Sequence, residues 1–265
     1  MKRTLVGALI LFSSVSLFAQ NRTFLSGAGL DTNPCSVTQP CRSIPVALGL
    51  TSSGGEIIVL DSAGYGQTVT INKAVNIVVP PGIFAAMTPT TPGTIALNIA
   101  AAGTDTIRID GLQILGAGVA NSQLGVNVGA CARVELGHMK IKNVAYPIKV
   151  TADVRVFIKN VEASVFATGI WLTGVNTDPS TTTLKVFVVG SSFTFGTLGV
   201  QADTGAIQMQ GQQSGLDGNR MGFLTSGSYF FAAAVSACSQ VPYGAFSAGG
   251  NTNNATGGGN NCSAP

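Results

Sequence analysis

The sequence of 265 residues has few charges: Asp, Glu, Lys and Arg make up 9% of it, and the formal net charge is +3. A field this weak gives no basis for attracting nucleic acid or an anionic membrane. The chain has one histidine, His138, and one tryptophan, Trp171. With a single imidazole and no Cys-x-x-Cys motif, the usual zinc ligand sets are missing. We therefore expect no nucleic-acid partner, no metal and no cofactor.

The sequence also lacks any long stretch with the 3.6-residue spacing of an amphipathic helix. Apolar residues nevertheless make up 45% of the chain, and 34 residues are glycine. This composition suits a large core between stacked strands. From residue 55 onward, short β-branched runs alternate with Gly, Asn, Asp and Thr, which indicates strands separated by tight turns.

The first residues predict an export signal. Lys2 and Arg3 precede an apolar run over residues 5–18 that ends at Ala19, which is typical of a secretory signal peptide. The run is shorter than the roughly 20 residues that a membrane span needs. We place the cleavage after Ala19, which predicts a secreted mature chain without a membrane span and with a net charge of about +1.

Five cysteines in an exported chain favour disulfide bonds. Cys35 and Cys41 flank a short proline-containing loop, and we predict that they are bridged. Cys238 and Cys262 are predicted to form a second bridge that ties down the tail. Cys131 is then left over beside a predicted strand, where we expect a buried apolar side chain rather than a reactive thiol.

The predicted organisation has four parts: a signal peptide over residues 1–19, a leader over 20–53, a β-solenoid over 54–248 and a tail over 249–265. The leader contains a short strand at residues 22–26. Ser43 followed by Pro45 predicts the start of a short apolar helix that caps the first turn of the solenoid. The tail is rich in Gly and Asn, and we expect a flexible end.

Internal repeats define the solenoid. A strand, a small or polar corner and a second strand recur at residues 107–114, 134–141, 156–163 and 186–193, with starts 27, 22 and 30 residues apart. A third short strand follows each of them at residues 125–128, 147–150, 169–172 and 199–202. Variable periods in the twenties are typical of a β-solenoid with three strands per turn. Alternation along the third strands then directs Val126, Val128, Ile148, Val150, Ile170, Leu172, Val200 and Ala202 into the core.

The leader also carries a motif that resembles bacterial secreted proteins of the pectin-lyase-like superfamily. Its residues are Phe24, Ser26, Gly29, Asp31, Asn33, Pro34, Pro40, Arg42, Ser43, Ile44, Ala47 and Leu48, followed by the stretch GGEIIVLDSAGYG over residues 54–66. The resemblance implies an all-β fold, a right-handed parallel β-helix. Cysteines stand at positions 35 and 41, where the motif usually has Gly-Thr and an aromatic, and this supports their bridge. It further implies that the strands of residues 125–128, 147–150, 169–172 and 199–202 face a groove in which many members bind polysaccharide.

The outward positions on these strands hold almost no acids. We predict one outward row of Ala96, Asn127, Lys149, Trp171 and Gln201, and beside it a row of Asn98, Gly129, Thr151, Thr173 and Asp203. Lyases and hydrolases of the superfamily need clustered carboxylates, and Asp203 is the sole acid here. His138 and Asp178 lie in fragments similar to parts of a polygalacturonase site, but in reversed order. His138 shares a corner position with Gly111, Asn160 and Gly190, so we assign no catalytic residue.

Two functions remain open. A non-catalytic scaffold for the cell surface, adhesion or glycan binding would bind ligand through Asn127, Lys149, Trp171, Gln201 and Asp203. A divergent polysaccharide lyase or hydrolase is the alternative. The outward Trp171 needs a partner for its indole: either a sugar ring, or a covering loop over residues 174–183.

Overall fold

The computed structural model describes residues 20–173, 185–202, 206–210, 220–223, 229–233, 246–247 and 252–256. The predicted signal peptide, the loop over residues 174–183, Asp178, Asp203 and the pair Cys238 and Cys262 lie outside the described residues. Within the described ranges, no helix is long and apolar enough to cross a membrane.

The chain forms a parallel β-helix, which confirms the predicted all-β fold. Its elements in chain order are β1 (Gln20–Leu25), α1 (Ile44–Leu50), β2 (Thr51–Val59), β3 (Ala63–Gly64), β4 (Val69–Ile71), β5 (Val75–Val78), β6 (Ala85–Met87), β7 (Ile95–Ile99), β8 (Thr106–Asp110), β9 (Gln113–Leu115), a 3₁₀ turn (Val119–Asn121), β10 (Leu124–Val128), β11 (Arg133–Gly137), β12 (Lys140–Lys142), β13 (Tyr146–Val150), β14 (Arg155–Lys159), β15 (Glu162–Leu172), β16 (Lys185–Val189), β17 (Ser192–Ala202), β18 (Ala206–Gln210), β19 (Arg220–Phe223), β20 (Tyr229–Ala233), β21 (Phe246–Ser247) and β22 (Thr252–Thr256).

Each full turn contributes one strand to each of three parallel sheets. The first sheet runs β1-β2-β5-β8-β11-β14-β16-β18-β20-β22. The second runs β3-β6-β9-β12 and continues into the first residues of β15 and β17. The third runs β4-β7-β10-β13, continues through the last residues of β15 and β17, and ends with β19 and β21.

Alternation along the strands builds one continuous core between the sheets. The inward side chains of the third sheet, Val126, Val128, Ile148, Val150, Ile170 and Leu172, are each 0% exposed, as predicted. Val and Ile suit this position because branched side chains pack well on a pleated, buried surface. The side chains of Val200 and Ala202 lie outside the described part, although their backbone continues the same register.

The corner between the first and second sheets repeats one backbone conformation. Gly111, His138, Asn160 and Gly190 occupy it in successive turns, with φ of 81°, 48°, 53° and 58°. All are left-handed, a conformation that glycine adopts freely and that Asn and His tolerate better than most residues. The prediction that His138 shares this corner is confirmed.

The leader caps the first turn. Cys35 and Cys41 form a disulfide with Cα atoms 4.6 Å apart, as predicted. The bridged loop pairs with the outer edge of β1: the Phe24 amide donates to the Cys35 carbonyl at 2.8 Å, and the Cys41 amide donates to the Phe24 carbonyl at 3.0 Å. A solenoid end would otherwise present open backbone groups to another chain, and the loop covers them here.

The capping helix begins after Ser43, but the serine side chain makes no capping hydrogen bond. Asp31 instead fixes the segment just before the helix, because its Oδ1 accepts from the amides of Arg42 and Ser43 at 2.9 Å each. The first strand begins at Gln20, two residues before the predicted one, and β2 begins at Thr51 directly after the helix. At the other end of the chain, β22 adds a strand to the first sheet within the segment where we expect a flexible tail.

Asp61 joins the leader to the first turn. It accepts hydrogen bonds from the Ser26 hydroxyl and from the Gly27 amide, each at 2.6 Å, and from the Tyr65 hydroxyl. Desolvation raises the pKa of Asp61, but the hydrogen bonds from Ser26 and Tyr65 hold it below its ordinary value. Desolvation and the adjacent carboxylate raise the pKa of Tyr65. An ionised Asp61 therefore stabilises the cap.

Candidate functional site

The third sheet places most of the predicted outward row in register. Asn127 pairs with Lys149, Lys149 with Trp171, and Trp171 with Gln201. Equivalent residues in adjacent strands of a sheet lie about 4.8 Å apart, so these positions form one line along the helix axis. The side chain of Gln201 lies outside the described part, and its backbone continues the line.

The predicted place of Ala96 is wrong. Asn98, not Ala96, pairs with Asn127 in β7 and β10, and Ala96 is buried at 0% exposure. The two residues point to the same side of β7, so alternation alone did not distinguish them. The row along the third sheet therefore reads Asn98, Asn127, Lys149, Trp171 and Gln201, and we call it the third-sheet row.

In the corrected register, Asn98 and Asn127 lie side by side at the start of the row and form an amide pair. Asn127 Nδ2 donates to Asn98 Oδ1 at 2.9 Å, and both side chains are half-buried. Each amide uses only part of its donor and acceptor capacity in this bond. The pair therefore presents an oriented polar surface next to Lys149.

An aromatic and cationic cluster follows in the next two turns. Lys149 Nζ lies 4.1 Å from the ring centroid of Trp171, within the range of a cation–π interaction. The ring of Tyr146 lies 5.0 Å from that of Trp171, centroid to centroid, with the planes tilted by 40°. Trp171 is half-buried and makes further contacts besides these. Lys149, Tyr146 and these further contacts thus hold the indole in place.

Tyr146 was missed by the sequence analysis. It lies two residues before the inward Ile148, so strict alternation directs it into the core, yet its ring reaches Trp171 on the outer face. Tyr146 is the first residue of β13, where the strand leaves the preceding corner and alternation does not fix the direction of the side chain.

The second predicted row continues the register. Gly129, Thr151 and Thr173 each follow the last paired residue of their strand, and their amides donate to the carbonyls of Ile99, Val128 and Val150 at 2.8–2.9 Å. Thr151 Oγ1 also donates to the Val128 carbonyl at 3.2 Å. These residues extend the polar surface but add no charge. Of the other two predicted members, Asn98 is misplaced, because it pairs with Asn127 and so belongs to the third-sheet row, and Asp203 lies outside the described residues.

Acids do not converge in the described part of the chain. No group of three or more His, Cys, Asp or Glu side chains is arranged there to hold a metal ion. On the third sheet, the row from Asn98 to Trp171 contains one charged residue, Lys149. This surface has no pair of carboxylates for acid and base catalysis.

The single histidine is engaged on both ring nitrogens. Asn160 Nδ2 lies 3.0 Å from His138 Nε2, and His138 Nδ1 lies 2.7 Å from Asp110 Oδ1. An amide nitrogen is a donor, so Nε2 accepts and Nδ1 donates to the carboxylate. Desolvation raises the pKa of Asp110, but hydrogen bonds from His138 and Arg108 hold it below its ordinary value. His138 is thus a hydrogen-bonded corner residue.

Cys131 is buried and carries a free thiol. Desolvation raises its pKa to about 11, so the thiol stays protonated at neutral pH. A protonated, buried thiol is a poor nucleophile and a poor metal ligand.

Comparison with known proteins gives little further guidance. No model of a known protein family matches the chain, and no curated protein matches it. Among solved structures, the crystal structure of pectate lyase Pel9A is similar, with a TM-score of 0.46 and 12% sequence identity over 90% of this chain and 79% of that chain. Any function must therefore be inferred from the residues of this chain.

Proposed function

We propose that the mature chain is an exported, non-catalytic β-helix that binds an acidic glycan along the third-sheet row. The observation that carries the proposal is the cluster of Tyr146, Lys149 and Trp171. Secretion is part of the proposal: the apolar run over residues 5–18 and the Cys35–Cys41 bridge support it, since disulfides persist mainly in oxidising compartments.

The cluster supports binding because it is organised before a ligand arrives. Contacts with Lys149 and Tyr146 restrict the Trp171 ring, so little side-chain entropy remains to be lost on binding. A half-buried indole offers an apolar surface for a sugar ring, as in many small-molecule sites. The ammonium group has three donors, and those that do not face the indole are available to a carboxylate or sulfate.

The amide pair supports the second part of the ligand surface. Asn98 and Asn127 orient each other through their 2.9 Å hydrogen bond. Their remaining donors and acceptors match the mixed character of sugar hydroxyls, which both donate and accept. The row therefore combines hydroxyl-binding amides, a cation and an aromatic surface along one line.

A divergent lyase or hydrolase remains the second candidate. It would need carboxylates that converge on bound substrate, and the described third-sheet row supplies none. Asp203 lies two residues after Gln201 in the sequence, so a catalytic function would depend on this single acid. We favour binding without turnover.

Affinity electrophoresis tests the proposal. The mature protein is run through gels that contain polygalacturonate, dextran sulfate or neutral dextran. We expect retardation by an anionic polymer but not by dextran. Trp171→Ala should remove most of the retardation that the row causes, and Lys149→Gln should weaken it about tenfold, as expected for loss of a charged hydrogen bond.

Two matched controls keep the test specific. Phe195→Ala removes an aromatic ring that is 80% exposed but outside the row, and Lys142→Gln removes an exposed cation of the second sheet. Both should bind like the parent protein. Equal binding by Trp171→Ala and parent would contradict the proposal. Release of unsaturated products or reducing ends from the polymers at enzymatic rates would favour the lyase or hydrolase instead.

A further inference from the structure

A second outward row runs along the first sheet in the same turns of the helix. Arg108, Glu135, Phe157 and Phe187 pair in register on β8, β11, β14 and β16. They alternate with buried residues such as Val156 and Ile158, so their side chains point away from the core. The row changes from two charged residues to two phenylalanines.

The aromatic part of this row is a stack of three groups. The rings of Phe157 and Phe187 have centroids 4.9 Å apart and planes that differ by 14°. The guanidinium of Arg133 lies 4.2 Å from the centroid of the Phe157 ring. Because β11 and β16 flank β14 on opposite sides, Phe157 lies between the cation and the second ring.

A cleft opens over this stack. Its volume is about 400 Å³, and its lining includes Phe157, Phe187, Val189, Arg133, Lys159 and His138. Both phenylalanines are half-buried, and Val189 is 37% exposed. Adjacent apolar side chains on the outer face of a sheet are uncommon and often mark a binding surface.

The charges around the cleft do not balance. Arg133 forms an ion pair with Glu135 at 2.7 Å, and Arg108 forms one with Asp110 at 3.2 Å, so both nearby acids are engaged. Lys159 lines the cleft at one end of β14, and Arg155 lies beside it at the other end, paired in register with Arg133. Both are exposed and form no ion pair with any described residue. Positive charge is therefore in excess on both sides of Phe157.

We propose that this cleft is a second ligand site, which binds an acidic saccharide chain on the first sheet. The phenylalanine stack packs against the apolar face of a sugar ring, while Arg155 and Lys159 pair with carboxylate or sulfate groups. A second copy of this chain fits less well, because the acids beside the cleft are already paired and the whole chain has only 11 Asp and Glu. The site shares its ligand class with the proposed function but lies on a different sheet. An experiment can therefore contradict one of the two proposals without contradicting the other.

The single tryptophan makes the two sites separable. Trp171 is the only indole, and it lies on the third sheet, so its fluorescence reports binding to the third-sheet row. Affinity electrophoresis in dextran sulfate or polygalacturonate reports binding at either site. Measuring retardation on every variant, and fluorescence on those that keep Trp171, distinguishes the sites even while the natural glycan is unidentified.

The double variant Arg155→Gln, Lys159→Gln tests the charges, and Phe157→Leu tests the ring while keeping an apolar side chain. We expect each to weaken the retardation of the Trp171→Ala protein about tenfold, and to leave the fluorescence titration of the parent protein unchanged. Lys142→Gln, an exposed cation on the second sheet, should change neither readout. Unfolding curves are measured for all variants, and the exposed charge variants should unfold like the parent.

Three results would overturn the second site. The first is that Trp171→Ala alone abolishes all retardation, and the second is that the charge and ring variants bind as tightly as their parent. The third is a dimer in sedimentation that these variants dissociate, which would assign the cleft to a second copy of the chain. Loss of all retardation in the first-sheet variants, with no response of Trp171 to either polymer, would instead support this site and contradict the proposed function.

Discussion

The outer faces of the first and third sheets differ in chemistry although the same turns build them. The third-sheet row begins with the amide pair Asn98 and Asn127, followed by Lys149. The same turns of the first sheet carry Asn76, Arg108 and Glu135. Both faces then become aromatic in the turn of β14 and β15, at Trp171 and Phe157. Because the core behind both faces consists mostly of Val, Ile and Leu, the differences lie in the outward positions, which do not pack into the core. Those positions are where ligand recognition is expected.

The largest expected effect comes from a substitution in the core that lies behind both faces. Ile170 is fully buried next to Trp171, and Ile170→Asp places a carboxylate in the core without a cation. We expect a loss of about 4 kcal/mol or more of unfolding free energy, enough to abolish the yield of folded protein. Asn127→Asp, an outward change on the neighbouring strand, should fold normally. Equal yields and melting temperatures for both variants would mean that the inward and outward faces are reversed.

Removing the disulfide should have a smaller and more local effect. Cys35 and Cys41 are six residues apart in sequence, and closing so short a loop contributes roughly 2 kcal/mol in the chain-entropy account. Cys35→Ser with Cys41→Ser should speed amide hydrogen exchange in β1, whose edge the loop covers. Exchange in β10 and β13 should change little. Uniform acceleration along the chain would show that the bridge stabilises the whole helix rather than its end.

Acidification should also destabilise the cap, and the corner between the first and second sheets, before it destabilises the core. Folding holds the pKa of Asp61 and Asp110 below the ordinary value of 3.8, so the stability they contribute is present above that pH and is lost as the pH falls through their lowered values. We expect the melting temperature to fall below about pH 4, and Asp61→Asn to reduce this dependence. Asp153→Asn, at an exposed aspartate, serves as the control. An unchanged pH dependence in Asp61→Asn would show that Asp61 does not contribute to the loss of stability in acid.

The smallest effect concerns the corrected register. If Asn98 and Asn127 are partners, the double-mutant cycle of Asn98→Ala and Asn127→Ala should give a coupling energy of about 0.5–1 kcal/mol. Thermal unfolding of the two single variants and the double variant measures it. Additive effects would contradict the register in which Asn98, rather than Ala96, lies next to Asn127.

The sequence predicts the strands and most of their inward residues because side chains alternate between the two faces over most of each strand. It does not predict register between turns whose loops differ in length, and Ala96 was misplaced for this reason. The same four repeats hold Arg, Glu, Phe and Phe at their second positions, so the first-sheet row could have been read directly. The position of Tyr146 could not, because a ring at the start of a strand departs from alternation.

Titration of Trp171 fluorescence with size-defined oligogalacturonates, beside neutral dextran oligomers, tests the central claim most directly. The third-sheet row predicts a saturable change with the acidic oligomers and no change with dextran. Added salt should weaken the change, because Lys149 contributes a charge that is only half-buried. Lys149→Gln should shift the titration to higher concentrations. A series of sulfated dextran oligomers is titrated in the same way. If Trp171 fluorescence does not respond to any acidic oligomer at concentrations that retard the protein in gels, glycan binding at this row is contradicted.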